Sequence, residues 1–169
     1  MLKNIVLIGM PGAGKSTIGV LLAKTLCVSF VDTDLIIQEK EQRLLQDIIK
    51  TEGISGFLVI EENIIKNLVL KRSVIATGGS VVYCHGGMKK LILNSIIVYL
   101  KLDYEEIEKR IENIKTRGIV IEAGKTLKDL YNERVPLYEK YAYITIDCNG
   151  KNMESIVEEI KLRVLEMVL

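Results

Sequence analysis

The sequence predicts an α/β fold, a single three-layer domain with a five-stranded parallel sheet between helices on both faces. Three observations carry that prediction. Five short, largely β-branched runs recur along the chain, at residues 5–8, 28–31, 73–76, 96–100 and 143–146. None shows polar/apolar alternation, which is how a strand covered on both faces reads. Longer amphipathic segments separate these runs, and strand alternating with helix favours a parallel sheet. Finally, 49 % of the 169 residues are hydrophobic and 27 % charged, with only two prolines. That composition excludes disordered, collagen-like and linker-like chains.

In chain order, the first run (5–8) follows Lys3 and is broken at once by Gly9-Met10-Pro11-Gly12, too early for a signal peptide. Helical candidates then cover residues 15–26, 33–40, 44–51, 56–70, 88–93, 104–113, 126–141 and 153–167. The last carries Ile156, Ile160, Val164 and Met167 at helical spacing and is read as core packing. His85, the sole histidine, is read as a loop residue. Residues 115–125 have a glycine near either end and fit neither helix nor strand, as a surface loop or a lid would. No repeat or linker divides residues 1–169, so one domain is expected.

Lysine and arginine number 23 against 22 aspartates and glutamates, a formal net charge of +1. There is no basic stripe and no tryptophan, so neither a nucleic-acid footprint nor a base-stacking platform is expected. Cys27, Cys84 and Cys148 lie far apart without metal-ligand spacing, which argues against disulfides and structural zinc. No apolar stretch approaches the roughly 18 residues of a membrane span. The expectation is a monomeric cytoplasmic protein that engages neither nucleic acid nor membrane.

The densest signal is Gly9-Met10-Pro11-Gly12-Ala13-Gly14-Lys15-Ser16-Thr17, set between a buried strand and an amphipathic helix. In that context it is a P-loop: glycines let successive N–H groups turn around phosphates, and the helix aims its positive end at them. Lys15 would reach the β/γ-phosphates and the Ser16 hydroxyl would ligate Mg²⁺. Asp32-Thr33-Asp34 closes the second strand, where an open parallel sheet places its ligands. One carboxylate would face the metal and the other an acceptor hydroxyl, unless the pair merely caps the next helix. The third strand ends in Thr77-Gly78-Gly79-Ser80, where paired glycines allow close backbone approach. Arg110, Arg117 and Arg134 follow, each with the planar fork that suits phosphate or carboxylate oxygens.

With these residues in place, essentially the whole chain resembles the shikimate kinase family of P-loop kinases. The resemblance implies transfer of the ATP γ-phosphate to a ring hydroxyl of shikimate, an acceptor-binding insert near 33–70 and a lid near 113–125. It implies nucleotide binding by Gly12, Ala13, Gly14, Lys15, Ser16, Thr17, Arg110 and Arg117, and Mg²⁺ near Ser16 and Asp32. Asp34, Glu61, Gly79 and Arg134 would hold the acceptor, and Lys15, Asp34 and Arg117 would be the catalytic set. The chain also departs from that pattern. Leu58 stands where the resemblance places a carboxylate-reading arginine between Phe57 and Glu61, and Ser80 replaces the third glycine after Gly78-Gly79. The lid reads Arg117-Gly118-Ile119, and the segment at Asn149-Gly150-Lys151 lacks a proline. Two alternatives therefore stand beside shikimate phosphorylation: a kinase for another small hydroxylated acceptor, or a nucleotide-binding regulator without catalysis.

Overall fold

The structure, a computed structural model, describes residues 3–112, 119 and 121–167. The strands are β1 (Asn4–Ile8), β2 (Ser29–Asp32), β3 (Ser73–Ala76), β4 (Ser95–Lys101) and β5 (Ile144–Asp147). The helices are α1 (Lys15–Leu26), α2 (Thr33–Glu41), α3 (Leu45–Asn67), α4 (His85–Asn94), α5 (Tyr104–Glu112), α6 (Leu127–Tyr141) and α7 (Met153–Glu166). The strands pair in parallel in the order β2-β3-β1-β4-β5.

That order fixes the layers. From β1 the chain crosses through α1 to the β2 edge, whereas from β3 it crosses back past β1, through α4, to β4. Right-handed crossovers running in opposite directions put their helices on opposite faces. Accordingly α1 packs with α7, while α4 and α6 pack against β4. The direction reverses between β1 and β3, and the crevice beyond their carboxyl ends is where such a sheet takes ligands. The central strands β1, β3 and β4 are buried almost throughout, and Val6, Leu7, Ile8, Val74, Ile97 and Val98 form the middle of the core.

Four details differ from the sequence expectation. The edge strands are not covered on both faces: β2 is partly exposed, and β5 alternates between buried Ile144 and Ile146 and exposed Thr145 and Asp147. His85 is not in a loop but opens α4, because the Glu62 carboxylate of α3 accepts from the Gly86 and Gly87 N–H groups and caps that helix from afar. Met167 is 53 % exposed at the end of α7, whose buried stripe is Ile156, Val157, Ile160 and Val164. The two helices expected over 44–51 and 56–70 form one element, α3, bent at Gly53, where φ 70 and ψ 178 are outside helical space. Below the bend a second small apolar cluster of Ile37, Ile48, Phe57 and Ile64 ties α3 to α2. The three cysteines are unpaired. No helix among the described residues is long and apolar enough to cross a membrane.

Candidate active site

The loop after β1 wraps the start of α1. Gly14 precedes the helix at φ 91, a conformation that favours glycine, and the Ala13 N–H closes the turn on the Met10 carbonyl at 3.1 Å. Lys15 is buried, its ammonium donating to the Gly9 and Met10 carbonyls at 2.8 Å each. Thr17 is exposed on the first turn of α1. The Ser16 hydroxyl donates to Asp32 Oδ2 at 2.6 Å, while Asp32 Oδ1 accepts from the Asp34 N–H at 3.0 Å. Asp32 thus caps α2 with one oxygen, as the capping reading expects, and meets the Ser16 hydroxyl of the phosphate loop with the other. A hydroxyl and a carboxylate side by side at the loop are the hard oxygen donors that Mg²⁺ accepts beside phosphate and water, so these residues fit that ion.

A cavity of about 240 Å³ opens between this loop and the end of β3. Its walls include Gly12, Gly14, Lys15 and Ser16 from the loop, Asp32 and Asp34 from the β2–α2 corner, and Gly78, Gly79 and Ser80 beyond β3. Arg134, 1 % exposed on α6, closes the far side. Neither Gly78 nor Gly79 leaves room for a side chain without a neighbour shifting. A Cβ at Gly78 would lie 2.8 Å from both Asp34 Oδ1 and Glu61 Oε1, and one at Gly79 would lie 2.9 Å from the Arg134 guanidinium. Arg110 sits at the loop's outer rim, donating to the Gly12 carbonyl at 3.3 Å and pairing with Glu106 at 3.0 Å. The cavity therefore brings Lys15, Ser16, Asp32, Asp34, Gly79 and Arg134 together, with Arg110 behind the loop. Arg117 lies outside the described residues, as does most of the expected lid; of that segment Ile119 lines the cavity.

The shikimate kinase family profile matches residues 11–165. This chain belongs to the shikimate kinase family. A shikimate kinase from Thermodesulfovibrio yellowstonii is 39 % identical over 162 residues, covering 94 % of this chain and 93 % of that protein. The solved shikimate kinase of Acinetobacter baumannii in complex with shikimate superposes with TM-score 0.92 at 32 % identity, covering 100 % of this chain and 96 % of that one. The Aquifex aeolicus shikimate kinase gives TM-score 0.81 at 30 % identity, with 96 % of each chain covered. The chain is accordingly a phosphotransferase acting on a hydroxyl group, with ATP as co-substrate.

Within this shikimate kinase fold two of the departures of sequence, Leu58 and Ser80, flank Glu61. Leu58 does not line the cavity; it packs against the α2–α3 apolar cluster. Glu61, one turn on, is fully buried and accepts from the Ser80 hydroxyl at 2.6 Å. Burial above all, and then the neighbouring Asp34, push its carboxyl from an ordinary 4.5 to about 7, against the opposing pull of Ser80, Arg134 and Cys84.

Several contributors carry no sequence signal of their own. Tyr138 is buried, stacks on Tyr99 at 5.2 Å, and donates to the Gly79 carbonyl at 2.6 Å, which fixes the backbone beside the cavity. Its spacing of four from Arg134 places both on one face of α6, the one clue available beforehand. Leu45, Gln38 and Gln46 also line the cavity and come from α2 and α3, whose tertiary placement no local pattern reveals, beside Phe57, which the resemblance already marks.

Proposed function

We propose that this chain transfers the γ-phosphoryl group of ATP to a hydroxyl of shikimate, giving shikimate 3-phosphate, as a cytoplasmic monomer. The observation that supports this most directly is that a single cavity is lined by the phosphate loop and by Asp34, Gly79 and Arg134. Phosphoryl transfer needs mainly positioning and charge stabilisation, which those two sets of groups supply from opposite walls. At about 240 Å³ the cavity is smaller than sites for drug-sized ligands, which run to roughly 300–1,000 Å³, and suits one small acceptor.

In this reading the N–H groups of residues 12–17 and the N-terminus of α1 hold the ATP phosphates, and Lys15 leaves its loop carbonyls to meet the transferring group. Ser16 and Asp32 would hold Mg²⁺, which when bound supplies positive charge to the phosphate oxygens. Arg110 flanks the nucleotide, and Arg117, outside the described residues, would add charge to the phosphates. Asp34 orients the acceptor hydroxyl and takes its proton. The Gly79 N–H and the Arg134 guanidinium hold the acceptor, the latter through its carboxylate. ADP release measured with shikimate beside a panel of polyols and hydroxy acids tests this. A kcat/KM at least about a hundredfold higher for shikimate is expected; the same rate with any other acceptor, or none with shikimate, refutes it.

A further inference from the structure

Resting on the proposed acceptor reading, the geometry points to Ser80 as a positioning residue: we infer that its hydroxyl holds the Glu61 carboxyl in the role left empty by Leu58, and so fixes the acceptor wall at Asp34 and Gly78. Residues 58 and 61 stand three apart on α3, so an arginine at 58 would lie beside Glu61 on the same helix face. Leucine there has no donor to offer. A buried carboxyl without donors is costly, and a substitute must come from outside the helix. Ser80 supplies it at 2.6 Å on Oε2, with the Cys84 thiol a weaker second donor at 3.7 Å on the same oxygen. Both leave the other oxygen, Oε1, buried without a hydrogen-bond partner among the described residues.

That remaining oxygen is not aimed at random. Glu61 Oε1 and Asp34 Oδ1 both lie 2.8 Å from the point a Cβ of Gly78 would occupy, so two carboxyl groups from different helices converge on one backbone corner. Gly78, Ser80 and Asp34 are themselves cavity walls. Were Glu61 free to turn, its oxygen would push on the Asp34 carboxyl or the Gly78 backbone and move the hydroxyl-binding edge. Ser80 stands at the first position of the turn that follows, 3 % exposed, and the carbonyl of its neighbour Gly79 accepts from the Tyr138 hydroxyl at 2.6 Å. The charged and titratable groups facing Glu61 are Asp34 from α2, Arg134 and Tyr138 from α6, and Cys84 before α4.

The test compares Ser80→Ala with Ser80→Thr, which keeps the hydroxyl. In the full chain, Ser80→Ala is expected to raise KM for shikimate about tenfold with KM for ATP unchanged, and Ser80→Thr to stay within about threefold of wild type. A second readout needs no substrate: the ¹³C NMR titration of the Glu61 carboxyl, assigned by Glu61→Gln. Its midpoint should rise in Ser80→Ala and return in Ser80→Thr, because the lost bond favours the ionised form. An unmoved midpoint overturns the inference whatever the kinetics. A moved midpoint with unchanged shikimate KM also overturns it, since Ser80 would then hold Glu61 without serving the acceptor. Absence of wild-type turnover with shikimate refutes the proposed function instead, and the midpoint still decides the Ser80–Glu61 contact.

Discussion

Glu61→Gln isolates the cost of a buried carboxyl. The glutamine keeps the shape, and its amide oxygen still accepts from Ser80, but it cannot ionise. Folding moves the Glu61 pKa from 4.5 to about 7. A folded-state pKa above the unfolded one means that the native state binds the proton more tightly. The associated stability is fully present below pH 4.5 and is lost as pH climbs to about 7. At about 1.4 kcal/mol per pH interval of one, that shift amounts to about 3 kcal/mol, a large share of a domain's roughly 5–15 kcal/mol. Urea unfolding followed by far-UV circular dichroism, on wild type and Glu61→Gln in parallel between about pH 4.5 and 8, reads it directly. Other titrating groups cancel in the difference. The glutamine variant should gain on wild type by about 3 kcal/mol across that range and level off above neutrality. A difference that is flat within about 0.5 kcal/mol, or that runs the other way, would refute the reasoning that burial and Asp34 dominate at this carboxyl.

Asp34→Asn should lower kcat by about 10²–10⁴ if Asp34 takes the acceptor proton, and steady-state kinetics showing a change in KM alone would make it a binding residue instead. Tyr138→Phe removes the 2.6 Å bond to the Gly79 carbonyl. Thermal unfolding should show a loss of about 1–3 kcal/mol, with a raised KM for shikimate; wild-type values for both would contradict a role for Tyr138 in fixing Gly79. Leu58→Arg places a cation one turn from Glu61, so the Glu61 midpoint in ¹³C NMR should fall. A midpoint that stays near neutrality would show that the arginine does not reach Glu61.

Much of the fold was legible because its signals are local. The short unalternating runs are what the central strands β1, β3 and β4 need when helices cover both faces, and the order of strand and helix dictates parallel pairing. The edge strands were misread for the same reason: being at an edge is a property of the whole sheet, and only there does β5 expose Thr145 and Asp147. The bend at Gly53 was visible as an interruption between two helical patterns. The start of α4 was not, since its cap is Glu62 from a different helix.

The site divides along a similar line. The phosphate loop is a contiguous motif, so Lys15 on its carbonyls and Ser16 beside Asp32 could be anticipated as neighbours from the chain alone. The acceptor wall is assembled from residues distant in sequence, and its logic emerges only in three dimensions. Leu58 and Ser80 read as two separate departures from a pattern, yet Glu61 connects them: losing a donor at 58 coincides with gaining one at 80. Tyr138 has only its spacing of four from Arg134 in the sequence, and its bond to the Gly79 carbonyl emerges only in the fold.

In the proposed function the two halves of the cavity act on one reaction, passing phosphate from ATP to a shikimate hydroxyl. ³¹P NMR of the purified chain with ATP, Mg²⁺ and shikimate measures this directly. The γ-phosphate signal of ATP should disappear in step with a new phosphomonoester on shikimate, one for each ADP formed. ATP consumed only to inorganic phosphate, or left intact in the presence of shikimate, would contradict it.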